Sequence, residues 1–168
     1  MKIRAALLAA STISLLATLA PTAHAASAAT CAASSKVTLS PGISMKPSSG
    51  TFTSTPGGTL ACVGLVKGVK VGGKGTLSFK GAYGPGDTCS SGKGSGTLAA
   101  TLPKVGGGHL AISGTFTVTR VGPEVIVKGK LAGAQLAGNL QFLPKTGQNC
   151  VQTKVTSATV AGAALSLG

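Results

Sequence analysis

Side chains that could perform acid–base or nucleophilic chemistry are few in this chain. Beyond its first 25 residues it has two acids, Asp87 and Glu124, and one histidine, His109. Hydrolysis by paired carboxylates needs two acids close together, and these two are expected on different hairpins. A Ser-His-Asp set could use His109, Asp87 and one of many serines, but no strand–turn–helix segment presents such a serine. We therefore expect no catalytic residue, no metal and no cofactor.

Two short motifs resemble known signals. Residues 143–147 (LPKTG) match the LPxTG pattern that sortases cleave, but the residues that follow are polar in part and end without a basic tail. We interpret them as a turn between strands. Residues 87–94 superficially resemble a phosphate-binding loop, yet Gly rather than Ser or Thr follows Lys93, and no helix is expected after it.

The N-terminal 25 residues have the order of a secretory signal peptide. Two basic residues precede an uncharged stretch over residues 5–20, and residues 23–25 (Ala-His-Ala) place small residues where signal peptidase recognises them. The uncharged stretch is shorter than the roughly 20 residues that span a bilayer, which disfavours a membrane anchor. We expect cleavage after Ala25 and a single secreted domain over residues 26–168.

Four cysteines lie in this predicted domain: Cys31, Cys62, Cys89 and Cys150. An even number of cysteines in an exported chain predicts disulfides. A zinc site would bring Cys or His pairs a few residues apart, and these cysteines are much farther apart. Four cysteines allow three pairings, and their spacing alone selects none.

The charge of the predicted domain is strongly positive, because thirteen basic residues face two acids, a formal charge of +11. The basic residues are spread over the chain, which suits a solvated outer face. They would also attract an anionic partner, and Lys128, Lys130 and Arg120 are the candidate surface anion contacts. A single arginine and five aromatic residues disfavour nucleic acid, since Phe79 and other phenylalanines lie on apolar faces and are expected in the core.

Apolar residues alternate with polar ones along the second half of the chain. Three consecutive stretches place one set on a shared face, namely Leu110, Ile112, Phe116 and Val118, then Val125, Val127 and Leu131, then Leu136, Leu140 and Phe142. Alternation with period two predicts strands with one buried and one solvated face.

Short glycine-containing connections separate these stretches and predict antiparallel neighbours. The predicted strands cover residues 36–40, 59–67, 74–81, 94–102, 109–120, 124–131, 134–143 and 152–161. Eight strands in series predict an all-β fold, an antiparallel meander that closes into a small up-and-down barrel, with a two-sheet β-sandwich as the alternative. Residues 41–58 form the one long connection, in which a short strand could form over residues 51–54. Tyr83 is expected in a loop, where it could line the barrel mouth.

This topology also favours one disulfide pairing. In a serial meander, the connections after the third and the seventh strand lie at the same end, and Cys89 and Cys150 occupy those connections. The prediction is therefore Cys89–Cys150 and Cys31–Cys62. Glycines within strands, such as Gly75 and Gly114, are destabilising unless they allow close packing or sharp coiling, which favours a small barrel.

Several segments carry a resemblance to known proteins: residues 39–42 (LSPG), 60–64 (LACVG), 87–89 (DTC), 114–116 (GTF), 120–123 (RVGP) and 150–160. The chain resembles a group of small signal-bearing proteins exported by actinobacteria, especially streptomycetes, with four cysteines and Gly/Thr-rich strands. This resemblance covers most of the chain after the signal. It implies export and a β fold, and it transfers no functional residue.

The leading hypothesis is a non-enzymatic extracellular domain that binds a small ligand or a surface partner. The alternative is a cationic protein associated with the cell envelope, bound to anionic wall polymers or lipids. A secreted hydrolase is the least favoured interpretation. An interior filled by Leu110, Phe116, Leu140 and Phe142 would exclude a ligand inside the barrel.

Overall fold

The computed structural model describes residues 28–168, and every regular element in this part of the chain is a strand. The predicted signal peptide lies outside the described residues. The strands are β1 (Ala29–Ile43), β2 (Ser48–Ser54), β3 (Thr59–Val66), β4 (Val69–Asp87), β5 (Ser91–Pro103), β6 (His109–Val121), β7 (Glu124–Leu131), β8 (Ala134–Pro144) and β9 (Val155–Leu167). The described residues include no helix long and apolar enough to cross a membrane.

Eight of the nine strands form a closed, barrel-like ring of hydrogen bonds. Strands β3 to β8 each pair with the next strand in antiparallel orientation, and β9 also pairs with β1, which in turn pairs with β3. The predicted all-β antiparallel meander with barrel-like closure is confirmed, and the two-sheet alternative is not formed. Closure leaves no long unpaired edge in the ring.

Strand β2 shares one place in the ring with β3. The first half of β1 pairs with β3, from Thr30 to Ser34, and its second half pairs with β2, from Val37 to Ser40. On the other side, β4 pairs with both strands in the same order. The short strand that could form over residues 51–54 is therefore present as part of β2, and it completes the wall between β1 and β4.

Strands β1, β4 and β9 extend well beyond their predicted bounds, and β9 does so because it continues to Leu167 rather than residue 161. Strand β1 begins at Ala29 rather than residue 36, although residues 29–35 are small and lack an apolar alternation. Pairing with β3 on one side and β9 on the other holds this segment in the sheet. Strand β4 continues to Asp87, so Tyr83 lies in a strand and not, as predicted, in a loop. Tyr83 pairs there with Gly50 and Gly94.

Both ends of the ring contain fully buried side chains, Val155 at the end where β1 finishes and five others at the end where β1 begins. At one end, here called the closed end, β1 begins and β9 finishes. Its core side chains have 0% exposure, and they are Ala29, Val66, Leu102, Leu131 and Leu167. The opposite end, here called the Arg120 end, has the connections over residues 44–47, 88–90, 122–123 and 145–154. The apolar faces predicted for β6, β7 and β8 point into the ring between these ends.

The structure bonds Cys31 to Cys62 and Cys89 to Cys150, the pairing that the meander topology predicts. Cys31 and Cys62 lie opposite each other on β1 and β3, 4.1 Å apart between Cα atoms, and both are buried. The other disulfide joins the connection after β4 to the connection after β8, at the Arg120 end. It links two loops that are far apart in sequence.

Glycines inside the strands allow neighbouring backbones to approach closely. A Cβ atom at Gly114 on β6 would overlap the carbonyl oxygen of Lys130 on β7, and one at Gly75 on β4 would overlap that of Thr101 on β5. Glycine at such positions permits the strong coiling of a small ring.

The LPKTG segment lies at the end of β8 and in the connection that follows it. Strand β9 comes after this connection and pairs with both β8 and β1. Cleavage after Thr146 would remove the strand that closes the ring, which agrees with interpreting the motif as a turn.

Candidate functional site: the interior cavity

The interior of the ring is not filled. It contains a cavity of about 130 Å³ between the two ends. Its lining is almost entirely apolar and comes from all nine strands. Five side chains that line it keep accessible area although they point inward: Phe79, Leu98, Val118, Leu140 and Val160.

A row of glycines on β5 leaves this space open. Gly92, Gly94 and Gly96 occupy the inward positions at the start of β5, and the first two line the cavity. A Cβ atom at Gly94 would come within 3.2 Å of both the Phe52 ring and a Val118 methyl. Because glycine has no side chain, this part of β5 leaves room for Phe52 of β2 and Val118 of β6.

Three phenylalanines form the centre of the lining. Phe52, Phe79 and Phe116 contact one another with ring centroids 6.1–6.3 Å apart, at tilted or edge-on angles. Such arrangements are favoured between aromatic rings in cores. Phe79 and Phe116 therefore lie in the interior, as their apolar faces predict.

The structure corrects the role expected for Arg120. Its side chain is only 8% exposed, so it is not a surface anion contact. The guanidinium instead donates hydrogen bonds to four backbone carbonyls at the Arg120 end: Thr88, Cys89, Ser91 and Gly122. Burial lowers the pKa of Arg120, and the carboxylate of Asp87 partly opposes this. The guanidinium carbon also lies 5.3 Å from the centre of the Phe142 ring, within the range of a cation–π contact.

Both acids are engaged in structural contacts. Asp87 is buried, and its carboxylate accepts a hydrogen bond of 2.8 Å from the backbone N–H of Lys93. Glu124, at the start of β7, accepts one of 2.9 Å from the side-chain amide of Asn139.

His109 and Asp87 lie at opposite ends of the ring. Asp87 lies beside Gly92 at the start of β5, and His109 pairs with Pro103 at its end, so the 13 residues of β5 separate them. At about 3.3 Å per residue this strand spans roughly 40 Å. A Ser-His-Asp set built on these two residues is therefore not assembled. Within residues 28–168, no three His, Cys, Asp or Glu side chains are grouped so that they could hold a metal ion.

All lysines between residues 28 and 168 are exposed on the outside of the ring or in its connections. Lys128 and Lys130 point outward from β7 and pair across the sheet with Thr117 and Thr115 of β6. These two remain as candidate surface contacts for an anion.

Tyr83 is the functional candidate that the sequence pattern placed wrongly. It is 6% exposed, lines the cavity and packs over Gly50 of β2. Its hydroxyl is closed off from solvent and has no hydrogen-bond partner among residues 28–168. Burial raises the pKa of the phenol, an effect only partly offset by the nearby backbone of Gly42, which forms no regular hydrogen bond with the hydroxyl. The sequence did contain a signal for its position. Glycine occupies every second residue at the start of β5, and Gly50 and Gly94 lie opposite Tyr83 on the two neighbouring strands. Such glycines leave room for a large inward side chain.

We expect Tyr83 to titrate above its ordinary value of 10.0. The folded protein then retains the phenolic proton longer than the unfolded chain, so stability falls as the pH rises above about 10. Tyr83 is the only tyrosine and the chain has no tryptophan, so ultraviolet absorbance of tyrosinate measures this one group. A Tyr83→Phe variant should lack the signal and lose less stability above pH 10. A midpoint at or below 10 would show that the phenol is solvated.

Comparison of the chain with protein-family models, with curated proteins and with solved structures finds no match.

Proposed function

We propose that this protein is an exported, non-enzymatic binding domain that holds a small apolar ligand inside its ring of strands. The observation that carries the proposal is the apolar cavity of about 130 Å³ behind the glycine row of β5. Export is supported by the signal-like N-terminus and by two disulfides, which are typical of extracellular proteins. The likeness to exported actinobacterial proteins agrees with this.

The cavity limits the size and polarity of the ligand. An engineered cavity of about 150 Å³ lined by Leu, Ile and Phe stays dry and binds benzene. The present cavity has a similar volume and a similar lining. The ligand class is therefore a benzene-sized aromatic or a short alkyl group, either as a free molecule or as part of a larger one.

The proposal predicts saturable binding of benzene to residues 26–168, which include the whole ring. Methyl resonances of Leu98, Val118, Leu140 and Val160 should shift together in a nuclear magnetic resonance titration, because these side chains line the cavity. Those of Val63 and Val105, which are 71% and 55% exposed, should not. If benzene and toluene produced no saturable shift of the lining methyls, the interior ligand would be ruled out.

A cavity-filling variant provides the matched control. Val160→Phe places an aromatic ring where the cavity has space and should weaken benzene binding at least about tenfold, while lowering stability by no more than about 1–3 kcal/mol. Val63→Phe makes the same change on the outside of β3 and should leave binding intact. Equal benzene affinity in both variants would place the binding site outside the ring.

A further inference from the structure

We propose that the Arg120 end of the ring docks onto the surface of an anionic lipid bilayer. This inference goes beyond an interior ligand and does not depend on one. It rests on apolar side chains exposed at this end, on the lysines beside them and on the connections that hold them in one surface.

Four large apolar side chains are exposed at the Arg120 end. Met45, Val121, Leu143 and Val151 have exposed fractions of 56%, 61%, 51% and 80%, and together they are called the apolar rim. Exposed apolar residues scattered singly need no explanation, whereas a group at one pole of a molecule marks an interaction site.

The connections that carry the apolar rim are linked to one another. The carbonyl of Ser44 accepts a hydrogen bond of 2.8 Å from the N–H of Cys89, and Cys89 is bonded to Cys150. Met45 and Val151 directly follow two of these linked residues. The N–H of Gly122, next to Val121, donates to the carbonyl of Ser90 at 2.7 Å. The rim is therefore held as one surface rather than on independent loops.

Lysines accompany the apolar rim in the same connections. Lys46 follows Met45, while Lys145 and Lys154 lie two and three residues after Leu143 and Val151, and all three lysines are exposed.

Both acids of the described chain lie at this end, but the charge of Asp87 is opposed by that of Arg120, and three exposed lysines remain against Glu124. The Asp87 carboxylate is buried and hydrogen-bonded, and Glu124 is half-buried against Asn139. The end is thus cationic and complementary to anionic head groups.

Charge alone would not select this end, because the closed end also has exposed lysines at positions 67, 70 and 104. The difference is in apolar side chains, because four large ones are exposed at the Arg120 end and, among residues 28–168, only Val63 and Val105 are exposed on the side of the closed end. A soluble polyanion has no apolar region in which Leu143 and Val151 could be buried. A bilayer interface has one, and lysines beside these side chains can reach its head groups. The occupant that fits both features is therefore a lipid surface.

The test measures partition of residues 26–168 onto phosphatidylcholine vesicles with and without phosphatidylglycerol. Binding should require phosphatidylglycerol and weaken with salt. A triple change of Lys46, Lys145 and Lys154 to glutamine should lower the partition coefficient by about fivefold per lysine. The charge-matched control changes Lys67, Lys70 and Lys104 to glutamine at the closed end and should have a much smaller effect.

The apolar contribution is tested separately. Leu143→Ser combined with Val151→Ser should lower the partition coefficient at least about tenfold. Val63→Ser combined with Val105→Ser, at exposed positions away from the Arg120 end, should change it little. An equal effect of both lysine triples would overturn the proposal, as would equal binding to vesicles without phosphatidylglycerol. A loss in the lysine variant with no loss in the Leu143/Val151 variant would show that vesicle binding is electrostatic alone and would overturn the role of the apolar rim.

Discussion

Replacing Cys89 and Cys150 with serine is expected to lower the free energy of unfolding by about 4 kcal/mol. The bond closes a loop with a sequence separation of 61 residues, and chain entropy makes such long closures the more stabilising ones. The effect should also be local. The hydrogen bonds of residues 145–154 go to one another and to the start of β9, so without the disulfide this connection loses its covalent link to residues 88–90. Chemical denaturation measures the global loss, and hydrogen exchange measures the local one.

The other disulfide serves as the control. Cys31 and Cys62 already lie opposite each other on paired strands, with a sequence separation of 31 residues. Replacing both with serine should cost a comparable global free energy and leave exchange in residues 145–154 unchanged. If both double variants loosened residues 145–154 equally, the Cys89–Cys150 bond would have no special role in holding the Arg120 end.

Replacing Arg120 with methionine is expected to lower the free energy of unfolding by about 3–4 kcal/mol. The guanidinium is the shared donor for carbonyls in residues 88–91 and in the turn after β6. Without it the carbonyls of Thr88, Cys89 and Gly122 lose this donor in a partly buried place, whereas that of Ser91 keeps the backbone N–H of Thr88. Leaving a buried acceptor without a donor costs about 1–3 kcal/mol. Part of the loss is offset, because the variant no longer buries a charge. Denaturant unfolding of both proteins at neutral pH provides the measurement.

Two further variants separate shape from charge. Arg120→Lys keeps the charge but lacks the planar fork of donors, so its stability should lie between those of the other two proteins. Lys128→Met removes an exposed cation and should change stability by less than about 0.5 kcal/mol. A methionine variant as stable as the original protein would mean that the hydrogen bonds of Arg120 only balance the cost of burying its charge.

Strands β6, β7 and β8 could be predicted almost to the residue, whereas β9, predicted over residues 152–161, covers Val155–Leu167. Alternation and glycine turns place strands at residues 109–120, 124–131 and 134–143, and the structure has them at His109–Val121, Glu124–Leu131 and Ala134–Pro144. Local signals suffice there because each strand has one apolar face and a short turn to its neighbour. The start of β1 was missed, since residues 29–35 carry no apolar alternation and are held only by β3 and β9.

The candidate site could be predicted only in part. The apolar faces identify which residues point inward, but they do not show whether the interior is filled. That depends on the side chains that meet across the ring, such as Phe52 of β2 against Gly94 of β5. Arg120 was placed outside because arginine is rarely buried, and its partners are backbone carbonyls that leave no mark in the sequence.

By itself, the amino-acid sequence predicts export and determines a lysine-rich, all-β chain whose serial topology favours one disulfide pairing, since these depend on local patterns and on order along the chain. The few candidate catalytic side chains and the scattered charges do not indicate where these side chains lie in the fold. Only the structure decided that. It separated His109 from Asp87, turned Arg120 inward and gathered four apolar side chains at one end. These outcomes follow from strand register and ring closure, which bring together residues that no local pattern relates.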